Sequence, residues 1–161
     1  MVGKITVGWI ILQLLLNVSV MAQHKTQELV MFPGTSISIV PPKHFELTDL
    51  YQGFLHKPTN TSLVASKAEN QNSIAFNKGL TTDYFNSQGL VLIKSETVKT
   101  PDWEGVIYYT SFRVKEVDMQ RMMLVMGDYN DTYIIMANFP AMFASQLTVP
   151  IRESFLSVKF N

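Results

Sequence analysis

The side chains that carry out enzyme chemistry do not fall into a known catalytic or metal-binding arrangement in this sequence. The three histidines, His24, His44 and His56, form neither a His-Glu-x-x-His nor a His-x-His motif, so their spacing predicts no zinc site. His44 and His56 flank one irregular apolar segment, residues 45–54, and contact between them is one possibility. We interpret them as two unrelated surface histidines, because exposed histidines are common.

The acidic residues and serines also predict no catalytic centre. Three pairs of acids lie close together in the chain: Asp102 with Glu104, Glu116 with Asp118, and Asp128 with Asp131. Each pair flanks a predicted turn, where carboxylates commonly support turn geometry. The sequence contains no Gly-x-Ser-x-Gly motif, no phosphate-binding glycine loop and no cysteine. We therefore expect a non-enzymatic protein with no catalytic residues, no metal site and no cofactor.

Four methionines have a spacing that is compatible with more than one structure: Met119, Met122, Met123 and Met126. The spacing i, i+3, i+4, i+7 fits one face of a helix, and thioether sulfurs are ligands that Cu(I) accepts. The segment nevertheless lies between two strand-like runs and ends at a turn. We therefore predict a core strand in which methionine fills irregular gaps, with a helix and a metal site as the alternatives.

Two aromatic residues in polar loops are the candidate binding residues. Trp103 lies in the loop of residues 100–105, and Tyr129 lies in the turn of residues 127–131. An aromatic side chain in a polar loop fits an exposed contact with a partner. For Trp103 the alternative is that the indole lies beneath the edge of the sheet, because large aromatic side chains are mostly buried.

The elements that position these residues centre on residues 104–139. Alternating β-branched and aromatic side chains are typical of strands, and they predict three consecutive strands at residues 105–116, 119–128 and 132–139. The glycine, asparagine and aspartates of residues 127–131 favour a tight turn between the last two. Both of these strands are apolar on both faces, which predicts a sheet covered on both sides.

The remaining segments supply further strands and the helices that cover the sheet. Strands are predicted at residues 36–40, 62–68 and 90–98. Helical periodicity predicts one helix over residues 73–87 that ends near Gly89. A closing helix is predicted to begin at Thr148 as its N-cap, with Pro150 in its first turn.

The composition indicates one globular domain without a nucleic-acid surface. The chain has 161 residues, of which 47% are hydrophobic, and its formal net charge is zero. This length suits a single domain, and the apolar content suits a packed core. A nucleic-acid-binding surface normally requires an excess of basic residues, so we expect no nucleic-acid partner.

The N-terminal segment has the pattern of an export signal. Lys4 precedes an apolar run, and Val20 and Ala22 are small enough for the −3 and −1 positions of a signal peptidase site. We predict a signal peptide over residues 1–22, a single domain over residues 23–161, and a periplasmic or secreted location. An uncleaved anchor is the alternative, although the apolar run is shorter than the roughly 20 residues of a spanning helix. We expect no stable membrane insertion after cleavage.

The order of elements and the residues that punctuate them resemble the PsbP-like family. The matching positions are Pro41-Pro42 with Phe45, Gly53-Phe54, Gly127-Asp128, Pro140, and the closing run Phe155-Leu156-Ser157-Val158-Lys159. The resemblance implies an α+β fold, with an antiparallel sheet of about six strands between helices in an α/β/α sandwich. It supplies no catalytic residue, and it implies a protein that binds other macromolecules.

Three functions are compatible with these features. The first is an exported domain that binds a protein or an envelope component, with Trp103 and Tyr129 as contacts. The alternative is a carrier of a small apolar ligand, with a pocket beneath residues 45–54. An enzyme is the third hypothesis, and it is disfavoured by the missing signatures.

Overall fold

The computed structural model describes residues 28–161. The predicted signal peptide, residues 1–22, and His24 lie outside the described residues. The ten strands of the described part are β1 (Val30–Met31), β2 (Ile37–Ile39), β3 (Glu46–Thr48), β4 (Gly53–His56), β5 (Thr61–Glu69), β6 (Val91–Lys99), β7 (Glu104–Val114), β8 (Val117–Gly127), β9 (Asp131–Pro140) and β10 (Lys159–Phe160). Its α-helices are α1 (Ser73–Gly79), α2 (Thr82–Ser87) and α3 (Ala144–Leu156). No helix among residues 28–161 is long and apolar enough to cross a membrane.

Seven strands form the main antiparallel sheet, in the order β3-β4-β5-β9-β8-β7-β6. The predicted meander of three consecutive strands is confirmed as β7, β8 and β9, which are interior strands of this sheet. Their register places Val125 of β8 opposite Val106 on one side and Ile134 on the other. The expected α+β class with a covered antiparallel sheet is therefore confirmed.

The sheet has a separate hydrophobic core on each face. On the first face, α3 and a small sheet of order β1-β2-β10 cover the larger core, which contains Ile107, Leu124, Ile135 and Phe155. On the second face, α1 and α2 cover a smaller core that includes Phe85 and Val125. The prediction that both faces are covered is confirmed, because neighbouring residues of β8 are buried in different cores.

The methionine segment is the strand β8, so the helical alternative is wrong. Side chains alternate along a strand, and Met122 and Met126 belong to the larger core while Met123 belongs to the smaller one. The same alternation places Met119 on the face of Met123. The four thioethers therefore lie on opposite faces of the sheet and cannot surround one metal ion.

The single helix predicted over residues 73–87 is two helices. The Asn72 side chain accepts hydrogen bonds from the backbone N–H groups of Ile74 and Ala75 and caps α1. The Thr81 hydroxyl accepts one from the Tyr84 N–H and caps α2. A second N-cap within the periodic segment restarts the helix, because the cap residue has extended backbone. The expected stop at Gly89 is present, with φ at +70°.

The closing helix begins earlier than predicted. It starts at Ala144, and Thr148 lies inside it, where the Thr148 hydroxyl donates a hydrogen bond to the Ala144 carbonyl at 2.7 Å. Thr148 is therefore not the N-cap. Pro150 lies in the helix interior rather than in the first turn. Because proline has no N–H, one backbone carbonyl of the preceding turn lacks its usual donor.

Two segments predicted to lack regular structure form short hairpins. Residues 45–54 contain β3 and the start of β4, which pair in register and add two strands to the main sheet. The predicted strand of residues 36–40 is β2, which lies in the small sheet instead, so the main sheet has seven strands rather than about six. The segment before the predicted strand of residues 36–40, to which the sequence pattern assigned no element, contains β1, which pairs with β2 across the turn at Gly34. Phe32 between them is fully buried. Both hairpins are therefore integral to the domain.

The edge strand β6 contains an irregularity in its pairing with β7. The register shifts between Leu92 and Lys94, so Ile93 has no partner in the ladder. Ile93 is 54% exposed. This is a β-bulge, which bends the strand locally and increases its twist.

Candidate functional site

Trp103 is buried in the larger core, which corrects the expectation of an exposed contact. Its side chain is 7% exposed, and its indole Nε1–H donates a hydrogen bond to the Val158 carbonyl at 3.0 Å. The alternative considered for this residue, an indole beneath the sheet, describes its position. Trp103 therefore joins the loop before β7 to the end of the chain.

The loop around Trp103 is held by several further contacts. The Thr100 hydroxyl accepts a hydrogen bond from the Trp103 N–H at 3.1 Å. The Lys159 ammonium forms an ion pair with the Asp102 carboxylate. The first contact shapes the loop, and the ion pair fixes it to the segment that follows α3, so the loop has a structural role.

Tyr129, in contrast, is 77% exposed at the tip of the β8–β9 turn. The turn is built by Asp128, whose carboxylate accepts hydrogen bonds from the N–H groups of Asn130 at 2.7 Å and Asp131 at 2.9 Å. These hydrogen bonds lower the pKa of the Asp128 carboxyl because they stabilise its charged form. The carboxylate thus serves the turn, and the turn presents the phenol ring to solvent.

Tyr129 lies at the rim of an open groove with a volume of about 750 Å³. We call it the α1 groove, because one side of helix α1 forms a wall. Strands β6 and β7 form the floor, and the β8–β9 turn closes one end. The lining residues on which the site depends are Ile74, Asn77, Lys78, Thr97, Tyr108 and Tyr129.

The α1 groove combines apolar, aromatic and neutral polar groups. Ile74 of α1 is 54% exposed. At the base, the Tyr108 hydroxyl donates a hydrogen bond to Asn77 Oδ1 at 3.0 Å, and burial raises the pKa of Tyr108. Lys78 is the cation of the groove. The surface can therefore contact a ligand through both apolar area and hydrogen bonds.

The acids of the α1 groove are not arranged for general acid–base catalysis. Asp128 is engaged by its turn, and Glu104 lies exposed beside Lys99, with 3.6 Å between the charged atoms. Among residues 28–161, no group of three or more histidine, aspartate or glutamate residues is placed to hold a metal ion.

His44 and His56 are neighbours, so the interpretation of two unrelated surface histidines is wrong. Their ring centroids are 6.5 Å apart, and the His56 ring stacks on Phe45 at 5.2 Å. His56 Nδ1 is hydrogen-bonded to the Thr59 hydroxyl at 2.7 Å. Burial and the charge of His44 lower the pKa of His56. The β3–β4 hairpin, which the sequence pattern did not predict, brings the two rings together.

Four cavities of residues 28–161 are lined by residues outside the segment 45–54. The pocket expected there for a small apolar ligand is not among them. Phe45 and Phe54 of this segment are buried in the larger core instead. A carrier function therefore requires a different cavity.

No protein-family model and no curated protein sequence matches this chain. Solved structures do match its fold. A protein from Bacteroides thetaiotaomicron has a TM-score of 0.56 and 12% identity; the match covers 83% of this chain and 48% of that one, so the chain spans about half its length.

Two other matches cover most of both proteins. Cyanobacterial PsbP from Synechocystis sp. has a TM-score of 0.54 and 10% identity over 83% of this chain and 92% of its own. LpqN of Mycobacterium tuberculosis, described as involved in cell envelope biogenesis, has a TM-score of 0.57 and 10% identity over 83% of this chain and 90% of its own. At such identities, the likeness establishes the fold alone.

The architecture and these matches define a sandwich of one antiparallel sheet with cover on both faces. Its fold is PsbP-like, as the order of elements and the punctuating residues of the sequence indicated.

The buried indole leads to a prediction about stability. The substitution Trp103→Leu leaves the Val158 carbonyl without its donor and opens space in the larger core. We expect the free energy of unfolding to fall by about 3 kcal/mol, measured by urea denaturation. Tyr129→Ser is the control, and we expect a change within about 0.5 kcal/mol because its ring is exposed. Equal effects of the two substitutions would contradict the structural role of Trp103.

The histidine pair leads to a prediction about pH. Because the pKa of His56 is below its ordinary value of 6.5 in the folded state, the unfolded chain takes up the proton first. The stabilising contribution of neutral His56 is complete above pH 6.5 and is lost as pH falls from there towards the folded-state pKa. We expect His56→Asn to reduce the loss of stability between about pH 8 and pH 5, measured by urea denaturation.

The matched variant is His44→Asn, since His44 has φ at +67° and asparagine tolerates that conformation. It removes the neighbouring charge, so an NMR titration should give a higher His56 pKa than in the unmodified protein. An unchanged His56 pKa in this variant would argue against coupling between the two rings.

Proposed function

We propose that this chain is an exported, non-enzymatic domain that binds a protein or another component of the cell envelope through the α1 groove. The observation that carries the proposal is the presentation of two exposed apolar side chains, Tyr129 and Ile74, on one open groove. Exposed aromatic and aliphatic groups that converge on a concave surface are the usual anchors of recognition.

The polar groups of the α1 groove support binding rather than a reaction. The Asn77 amide and the Tyr108 hydroxyl are hydrogen-bonded to each other and hold their positions. The Lys78 ammonium and the exposed hydroxyl of Thr97 are available to a partner's carbonyl or carboxylate oxygens. A partner with an apolar side chain next to an acceptor group would match this surface.

Two observations support a place in the envelope. Residues 1–22 have the charge, apolar core and cleavage pattern of a secretory signal. LpqN, which is similar in fold, is described as involved in cell envelope biogenesis. The formal net charge of zero argues against a nucleic-acid partner.

The binding proposal is tested with a matched pair of surface variants. Tyr129→Ser removes the exposed ring of the groove, whereas Leu50→Ser removes a residue of similar exposure, 79%, that does not line it. We expect affinity isolation of the tagged protein from its own host, followed by native mass spectrometry, to give one stoichiometric partner. Tyr129→Ser should bind this partner about tenfold more weakly than the unmodified protein, or weaker still, because aromatic anchors dominate such interfaces.

Leu50→Ser should recover the same partner at the same yield as the unmodified protein. The proposal fails if Tyr129→Ser and Leu50→Ser retain the partner equally. It also fails if the isolated protein turns over a substrate, because the proposed domain is non-enzymatic.

Export is tested separately by the mass of the protein in its host. Cleavage after Ala22 should give a mature chain that begins at Gln23, measured by intact mass spectrometry of the periplasmic or culture fraction. Ala22→Leu, which places a large residue at the −1 position, should accumulate the uncleaved precursor. A chain that keeps residues 1–22 in the membrane fraction would instead support an uncleaved anchor.

A further inference from the structure

A second cavity lies between the two short helices and the face of the sheet that they cover. It has a volume of about 460 Å³, and its wall is mainly apolar: Phe76, Leu80, Phe85, Leu90, Met123 and Met136. It shares no lining residue with the α1 groove. Its size lies within the roughly 300–1,000 Å³ of ligand pockets, and its wall suits an apolar molecule.

Arg121 of strand β8 lines the same cavity. The guanidinium carbon lies 5.3 Å from the centroid of the Phe112 ring, and Nε donates a hydrogen bond to Asn138 Oδ1 at 2.7 Å. Asn138 is uncharged, and no carboxylate among residues 28–161 contacts this guanidinium. Burial lowers the pKa of Arg121, yet a guanidinium stays protonated in proteins. A partly buried positive charge is therefore left without a counterion.

The other two arginines of the chain are paired. Arg152 Nε donates to Glu96 Oε1 at 3.1 Å, and Arg113 Nη2 lies 3.1 Å from Glu116 Oε2. Arg121 is thus distinguished from them by its environment. A buried charge is costly unless it is paired, so an unpaired one beside an apolar cavity indicates a place for a counterion that the chain does not supply.

A second polar group beside Arg121 is also unsatisfied. Thr110 is the residue opposite Arg121 in the β7–β8 ladder, so both side chains lie on the same face of the sheet. The Thr110 hydroxyl is buried and has no hydrogen-bond partner among the described residues. Two neighbouring groups with unused donors lie on this part of the sheet face.

We propose that this cavity binds a single-chain amphiphile with a carboxylate head, of the chemical class of the long-chain fatty acids. The alkyl chain would lie against the apolar wall, and the carboxylate would pair with Arg121. The parallel N–H donors of a guanidinium match the two oxygens of a carboxylate, and the monoanion neutralises the single charge. An alkyl phosphate shares this chemistry, but its dianionic head would leave an excess negative charge beside one arginine.

The test titrates the full-length protein with dodecanoate, at concentrations below those at which dodecanoate forms micelles. Binding is measured by calorimetry. Dodecan-1-ol, with the same chain and no charge, is the matched ligand. We expect dodecanoate to bind at least about tenfold more tightly than the alcohol, because a hydrogen bond to a charged group exceeds a neutral one. Arg121→Met should bind both ligands equally, whereas Arg152→Met, which changes a paired arginine outside this cavity, should keep the preference.

Methionine methyl NMR locates the ligand and checks the fold of each variant. Met123 and Met136 line the cavity, and their methyl resonances should shift on binding. Met122 and Met126 belong to the core on the opposite face, and their resonances should stay unchanged. If Arg121→Met perturbs that opposite core, the variant Arg121→Lys is used in its place. We expect this variant to show a reduced preference for dodecanoate over the alcohol, because lysine lacks the paired donors.

Four results would overturn the inference. They are an absence of saturable dodecanoate binding, equal affinity for dodecanoate and the alcohol, a preference retained when Arg121 is replaced, and tighter binding of dodecyl phosphate than of dodecanoate. The α1 groove and this cavity share no lining residue. Failure of either proposal is therefore recognised independently of the other.

Discussion

The burial of strands β7, β8 and β9 on both faces is the constraint on which the rest of the molecule depends. A sheet that is apolar on both sides requires two covering layers. Helix α3 and the small sheet supply one layer, where Ser154 donates a hydrogen bond to the Val40 carbonyl at 2.5 Å and ties the helix to the end of β2. Two short helices supply the other. The two short helices are the smaller covering layer and lie over the second face. The α1 groove and the cavity lined by Arg121 both lie on that side.

The central strands were predictable because their signal repeats over ten or more residues. Alternation and doubly apolar character identified β7, β8 and β9 and the need for cover on both faces. The short elements had no comparable signal: β1 and β10 have two residues each, and pairing with distant parts of the chain defines them. The prediction of a single helix over residues 73–87 was wrong for another reason. Apolar periodicity continues through the segment, but the side-chain cap at Thr81 restarts the helix, and periodicity does not register a cap.

Among the candidate site residues, too, local sequence signals were informative, whereas contacts with distant parts of the chain were not predictable. The exposure of Tyr129 was predictable because the turn chemistry around it is local. The burial of Trp103 was not, because the carbonyl that binds its indole belongs to Val158, which is distant in the sequence. The contact between His44 and His56 likewise depends on the β3–β4 hairpin. Arg121 is the one charged residue among residues 119–126, and this is visible in the sequence. Its lack of a charged partner is visible only in the folded chain.

The bulge at Ile93 has a consequence for how copies of this molecule behave when they meet. A sheet of seven strands has two free edges, and an edge with unpaired N–H and C=O groups is a template for another chain. One edge here is β3, with only three residues. The other is β6, whose ladder is broken at the bulge and which carries Lys94 and Lys99. Neither edge offers a long, regular and uncharged row, so the fold resists growth of the sheet into fibrils at high concentration.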